Sequence, residues 1–240
     1  MLLKLGSKGD DVEKLQEKLG LKSDGSFGSN TEKAVKEWQL KNGLTPDGVI
    51  GDKSWDKLFG NSTENIIVLD SNLKLEKLKG IIPDNVISQI PTTADKFNIT
   101  NTLRLAHFLS QCAHESGNFK WVTEFASGKA YEGRKDLGNT EPGDGVKFKG
   151  RGYIQLTGRA NYTKFSQFCG EDCVVNPELV ATKYPMLSAA YFFDKNKLWS
   201  ICDKGATDSD VKALTKRVNG GYNGLDDRLE KFHKIWNVLK

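Results

Sequence analysis

A short unit that occurs twice near the N-terminus limits how this chain can fold more than any other feature. Asp24-Gly25-Ser26-Phe27-Gly28 returns as Asp47-Gly48-Val49-Ile50-Gly51. Asp-Gly is strong turn chemistry, because glycine reaches positive φ without steric cost, and each copy precedes a helical pattern. Val12, Leu15 and Leu19 form one apolar stripe, Ala34, Val35 and Trp38 a second, and Trp55, Leu58 and Phe59 a third, all at helical spacing. Asn42-Gly43 is a stop for the second helix. Three short helices and two like loops predict a small three-helix bundle over residues 1–60. Trp38 and Trp55 sit on the apolar stripes, which assigns them to its core rather than to a sugar-stacking surface.

Residues 61–70 open as Asn61-Ser62-Thr63-Glu64-Asn65, polar and without period, and read as a linker. Residues 71–240 then form a second, larger domain. Pro83 and Pro91 bracket a short apolar segment, read as one helix. Beyond it the pattern is helix-rich, so the expected fold class is mainly α. Leu137 to Gly152 is a long polar loop, and a loop of that length inside a compact domain is usually functional.

The totals exclude several classes. A hydrophobic share of 38% with 28% charged residues is ordinary for a soluble globular protein. No apolar run approaches the roughly 18 residues that suggest a membrane span, so no membrane insertion is expected. The first residues lack the apolar stretch of a signal peptide; a chain acting outside the cytoplasm would need another route of release. The net charge of +4 is mild. It would favour an anionic polymer by long-range attraction, or merely keep the protein soluble. There is no basic cluster interleaved with aromatics, so nucleic acid is not an expected partner. Cys112, Cys169, Cys173 and Cys202 show no repeated ligand spacing and are read as free thiols. His107 and His114 do not complete the zinc-protease signature, since Asn118 and Phe119 follow Glu115 where a histidine would be needed. No metal and no cofactor are expected, and the protein is read as a monomer.

The chemistry centres on His114-Glu115-Ser116-Gly117 and on Gly150-Arg151-Gly152-Tyr153-Ile154-Gln155-Leu156-Thr157. A helix begins near Thr102, with Leu105, Phe108, Leu109 and Cys112 on one stripe that continues to Glu115. A carboxyl group on a hydrocarbon face would hold its proton more tightly, as a general acid must near neutral pH. A structural carboxylate paired with an arginine would fit the same position. Glu124 follows nine residues later. On an unbroken helix it would face the opposite way, about 13 Å along the axis, so the break at Gly117-Asn118 is needed to bring it back. Inverting glycosidases hold two carboxyl groups about 6.5–9.5 Å apart, with room for a water. Glu132 and Glu141 are the competing acids, and Glu132 is expected to pair locally with Arg134. His114 is expected to orient Glu115.

These segments, in this order, resemble the glycoside hydrolase family 19 lysozymes and chitinases, especially phage endolysins. Residues 1–60 resemble the three-helix peptidoglycan-binding domain found beside wall-lytic enzymes. The larger match runs over roughly residues 100–230 and includes Leu137-Gly138-Asn139-Thr140-Glu141-Pro142-Gly143-Asp144-Gly145, Val218-Asn219-Gly220-Gly221 and Gly224-Leu225-Asp226-Asp227-Arg228. The resemblance implies a lysozyme-like bilobal helical fold with Glu115 as general acid and Glu124 as general base. It implies that Thr157 holds the nucleophilic water and that His114, Gln155, Asn161 and Asn219 face the sugars. Plant chitinases of the family carry a tyrosine before the asparagine matched by Asn161, where this chain has Ala160, and that weakens a transfer of chitin specificity. The expected function is an endolysin that cleaves β-1,4 bonds of bacterial peptidoglycan, made in the host cytoplasm and released to the wall through a holin. A chitinase with the same machinery and an inactive wall-binding protein are the alternatives.

Overall fold

The computed structural model describes residues 2–42, 44–59 and 72–240. The chain divides into two compact units, Met1–Asn65 and Ile66–Lys240. The expected linker, 61–70, lies outside the described residues, as does Gly43 of the expected helix stop.

The small unit holds α1 (Asp10–Lys18), α2 (Ser29–Lys41) and α3 (Asp52–Phe59). It also has two strands that the helical periodicity does not reveal. β1 (Leu2–Leu3) pairs antiparallel with β2 (Ile50–Gly51), Leu3 opposite Ile50. The core joins Val12, Leu15, Val35 and Leu58 from the helices to Leu3, Phe27 and Ile50 from outside them. Phe27 and Ile50 are equivalent positions of the repeat, so each copy turns one apolar side chain inward. Leu19, Trp38, Trp55 and Phe59 pack against this core but are only partly buried.

What fixes the repeated loops is a pair of glutamines whose role the sequence reading missed. The side-chain amide of Gln16 donates to Asp24 Oδ1 at 2.7 Å and to the Ser26 carbonyl at 3.0 Å, while its Oε1 accepts from the Asp24 and Gly25 amides. Gln39 repeats this, donating to Asp47 Oδ1 at 2.7 Å and the Val49 carbonyl at 2.9 Å and accepting from the Gly48 amide. Both glutamines are buried. Hydrogen bonds from Gln16 hold the Asp24 carboxyl below its ordinary range, and the Val49 amide, then Gln39, do the same for Asp47.

Replacing Gln39 by leucine leaves the Gly48 amide and the Val49 carbonyl without their partner. Each unsatisfied buried group costs about 1–3 kcal/mol, so thermal unfolding of residues 1–60 is expected to shift clearly downward. The aspartates add a pH signature. A lowered folded pKa contributes stability that is present above the ordinary carboxylate value and fades as pH falls through the folded one. Gln39→Leu is therefore expected to lose stability at every pH, with an added loss near neutral pH that fades in acid. An unchanged melting temperature at neutral pH would show the clamp to be dispensable.

The large unit is helical around one contiguous apolar core that runs from Leu73 to Leu239. After a short 3₁₀ turn at Leu75–Leu78 come α4 (Asp84–Ile87), α5 (Ile90–Phe97) and α6 (Thr102–Glu115). The segment between Pro83 and Pro91 thus holds the one short helix expected of it, α4, and α5 starts at its far end. Pro91 lies in the first turn of α5, where its missing amide hydrogen is not required. There follow α7 (Asp144–Lys147), α8 (Arg159–Cys169), α9 (Leu179–Thr182), α10 (Pro185–Lys195), α11 (Trp199–Cys202), α12 (Asp208–Asn219) and α13 (Leu225–Leu239). The four cysteines are free thiols.

Helix α6 is the central element. Asn101 caps it by accepting from the Arg104 amide at 2.8 Å, and every residue from Leu105 to Ala113 is buried. Its main neighbour is α13. This packing brings the C-terminal end of α6 against the first turns of α13, although the two are far apart in sequence.

Candidate active site

Glu115 is the last residue of α6. Ser116 then closes the helix, its hydroxyl donating to the Cys112 carbonyl at 2.6 Å and accepting from the Phe119 amide at 2.9 Å. Gly117, Asn118 and Phe119 all have left-handed backbone, with φ of 58°, 59° and 65°. Such a run costs strain at the two non-glycine residues. Phe119 offsets it by burying its ring edge-on to Tyr153, 5.1 Å between centroids. This left-handed run ends the line of α6 at the expected break, Gly117-Asn118.

Beyond this break the chain meets the glycine-hinged segment. The Glu124 amide donates to the Gly150 carbonyl at 2.9 Å, and the Gly152 amide donates to the Val122 carbonyl at 2.8 Å. The Glu124 carboxylate is then fixed from two sides. Its Oε1 accepts from the Tyr131 hydroxyl at 3.0 Å and its Oε2 from the Gly150 amide at 2.9 Å. Two donors suit an ionised carboxylate, which can only accept. Burial, then the bond to Glu124, keeps the Tyr131 phenol protonated by pushing its pKa up.

Gly150 also ties Glu124 to the sugar-binding candidates. A side chain there would put its Cβ 2.4 Å from Gln155 Oε1 and 3.1 Å from Glu124 Oε2, so both groups converge on the bare backbone. Thr157 donates its hydroxyl proton to the Gln155 carbonyl at 2.8 Å, and Asn161 donates to the Thr157 carbonyl at 2.7 Å. Gln155, Thr157 and Asn161 line one cavity of about 430 Å³; neither Glu115 nor Glu124 lines it. Gly150→Ala adds a methyl group against the flexible side chains of Gln155 and Glu124, which can give way. The fold is expected to survive while turnover falls roughly 10- to 100-fold, as small misplacements of reacting groups do. Parent-like turnover in a steady-state assay would separate Gly150 from the site.

The surroundings of Glu115 differ from the hydrocarbon face that the stripe suggests. Its Oε1 accepts from Arg228 Nη2 at 2.5 Å, and the glutamate is about a quarter exposed. The arginine-paired alternative is therefore present in the structure. Arg228 itself is buried. It also donates to Gln111 Oε1 and, at 3.4 Å, to the Asn223 carbonyl. Asn219, exposed at the end of α12, donates to that same carbonyl at 3.2 Å. The pairing binds Glu115 by one oxygen only, and Oε2 has no hydrogen-bond partner among the described residues.

His114 does not bond to Glu115. Its Nδ1 meets Asp227 Oδ2 at 2.5 Å, and its ring lies on Gly224, where a Cβ would come within 2.0 Å of Cε1. Burial works to raise the Asp227 carboxyl, but hydrogen bonds from Lys231 and His114 bring it below the ordinary range. The candidates thus form two groups: Glu124, Gln155, Thr157 and Asn161 around Gly150, and Glu115, His114 and Asn219 around the start of α13.

The competing acid Glu132 does not pair with Arg134. Its oxygens accept from the Gly143 amide at 2.7 Å and the Gly145 amide at 2.9 Å, and Arg134 pairs with Asp136 instead. This pins the long loop, which carries α7. Asp144, buried in the same loop, is held by Arg159, whose guanidinium keeps its carboxyl below the usual range. The sequence reading also missed Tyr131 and Arg228 as site residues. The local signals are the place of Arg228 inside the matched segment 224–228 and of Tyr131 next to the competing acid Glu132.

Residues 83–202 match glycoside hydrolase family 19, described as class I chitinase, and residues 8–58 match the peptidoglycan binding domain. Glu115, Glu124, Gln155, Thr157 and Asn161 fall inside the first match, whereas Asn219 and Arg228 lie beyond it. A glycosyl hydrolase family 19 domain-containing protein of Haemophilus influenzae is 29% identical over 182 residues, 62% of this chain and 87% of that protein. An endochitinase of Arabidopsis thaliana is 32% identical over 119 residues, 49% of this chain but 39% of the plant protein. Among solved structures, a bacterial family 19 chitinase aligns with a TM-score of 0.47 at 18% identity, covering 79% of this chain and 94% of the other.

Proposed function

The chain belongs to glycoside hydrolase family 19, and from that premise we propose that it hydrolyses the β-1,4 bonds of bacterial peptidoglycan by single displacement between two carboxyl groups. The observation that carries this reading is the setting of Glu124, fixed by Tyr131 and Gly150 on the segment that presents Gln155 and Thr157. Glu115 gives a proton from Oε2 to the glycosidic oxygen as the bond to the anomeric carbon breaks. Arg228, on Oε1, stabilises the carboxylate that remains.

The attacking water lies between Glu124 and Thr157. The Thr157 proton is taken by the Gln155 carbonyl, so its oxygen accepts from the water rather than donating to it. A water that donates to both Thr157 and Glu124 turns its lone pair toward the anomeric carbon. Its hydroxyl joins that carbon and its proton passes to Glu124, which inverts the configuration. The domain matched over residues 8–58 holds the enzyme on the wall and raises the local substrate concentration. On this reading residues 1–60 are the anchor, 61–70 a linker and 71–240 the catalytic domain. The protein acts as a monomeric phage endolysin, made in the host cytoplasm and admitted to the wall by a holin.

Chitin is the second reading, favoured by the class I chitinase description of the matched family. Purified walls and chitin oligosaccharides, incubated with the full chain and followed by mass analysis, separate the cases. Muropeptides with new reducing ends support the proposal. Freed stem peptides, no release, or release from chitin alone would each overturn it. Proton NMR in the first minutes should show the α-anomer; initial β-anomer would exclude single displacement.

A further inference from the structure

The cavity beside Gln155, Thr157 and Asn161 carries a charge that the reaction does not use. Lys164 from α8 and Lys195 from the end of α10 line it, and no aspartate or glutamate does. Neither lysine forms an ion pair with a described residue. The Lys195 ammonium stands 5.3 Å from the ring centroid of Tyr191, which also lines the cavity. Two other lysines of this unit do pair with carboxylates, Lys183 with Glu171 and Lys231 with Asp227. Two ammonium groups on one cavity repel each other, so folding alone gives no reason to gather them there. A neutral glycan offers them hydroxyl and carbonyl acceptors but no counter-charge.

We propose that this cavity is a subsite for a carboxylate-bearing unit of the glycan strand, with the carboxylate facing Lys164 and Lys195 while Gln155 and Asn161 take the sugar. The two lysines then determine specificity, favouring wall strands over neutral chitin. This inference rests on the glycosidase reading of the same site. The carboxylate has two possible sources: the lactyl group of a muramyl sugar that carries no peptide, or the peptide itself, whose attachment turns the lactyl carboxyl into an amide.

The test is calorimetric binding to the full chain, with Glu115→Gln throughout to stop turnover, with and without Lys164→Gln and Lys195→Gln together. Three ligands are compared: peptide-bearing glycan fragments, the same fragments stripped of peptide by an amidase, and chitohexaose. Each exposed ion pair contributes up to a few-fold in affinity, so the preference for carboxylated fragments over chitohexaose should fall about tenfold at low ionic strength. Loss on stripped fragments identifies the lactyl carboxylate, and loss confined to peptide-bearing fragments identifies the peptide. An unchanged preference, or an equal loss on chitohexaose, would overturn the proposal. Failure of the parent chain to release reducing ends from walls would instead count against the glycosidase reading, and the binding ratio would still decide whether the two lysines select a carboxylate.

Discussion

Glu115→Gln is expected to lower wall-lytic turnover at least about 100-fold, within the roughly 10²–10⁴-fold range of general acid–base groups, while the full chain still binds purified walls. The amide carbonyl of glutamine can take the place of Oε1 and still accept from Arg228. At the Oε2 position, however, stands an amide nitrogen that cannot release a proton to a leaving oxygen. This separates the catalytic role from a purely structural one, for which a glutamine that keeps the Arg228 bond would retain most activity. Removing the carboxylate also leaves the buried guanidinium without its counter-charge, so a lower melting temperature is expected. Initial rates should therefore be taken well below the variant's transition. Turnover close to the parent's under those conditions would end the assignment of Glu115 as the acid.

Arg228→Leu is expected to give the largest loss of stability in the chain. Arg228 is 1% exposed and meets Glu115, Gln111 and the Asn223 carbonyl. Removing one partner of a buried pair costs about 3–5 kcal/mol, and the partial exposure of Glu115 puts this case near the lower end. For a unit of this size that is a fall of roughly 6–12 °C in melting temperature. Turnover should fall as well, because Glu115 loses the contact that orients it. Arg228→Lys restores the charge without the planar fork that reaches two acceptors at once, so it should recover part of the stability and less of the activity. A leucine variant that melts with the parent would mean that α6 and α13 hold together without this network.

The contrast between Glu115 and Arg228 also marks how far the sequence can be read. The stripe Leu105, Phe108, Leu109 and Cys112 places Glu115 at the end of a helix, and all four stripe residues are fully buried. That reading works because helical periodicity is local, set by neighbours three and four residues apart. The same periodicity indicates hydrocarbon around Glu115 and misses the guanidinium, which is supplied by a residue 113 positions later. Tyr131 and Gly150 reach the Glu124 carboxylate across loops whose paths no periodicity describes. Glu132 illustrates the opposite error: Arg134 is the nearest cation in sequence, but two loop amides take the carboxylate oxygens.

In the small unit the Asp-Gly repeat and the helices are legible, because turn chemistry and apolar spacing act within a few residues. The clamps of Gln16 and Gln39 are not. A glutamine in a helix reads as a solvent-facing residue until the fold buries it and presents a loop that needs both its donor and its acceptor. The two-residue strands escape for a similar reason, since Leu2–Leu3 has no alternation to display and becomes a strand only by meeting Ile50–Gly51. The sequence by itself therefore determined the helices, the turns and the residue types available for chemistry, because short-range backbone and side-chain preferences specify them. The partner of each charged group, and so the working environment of Glu115 and Glu124, was decided by tertiary structure, because charges and hydrogen bonds pair across whatever distance in sequence the packed helices bring together.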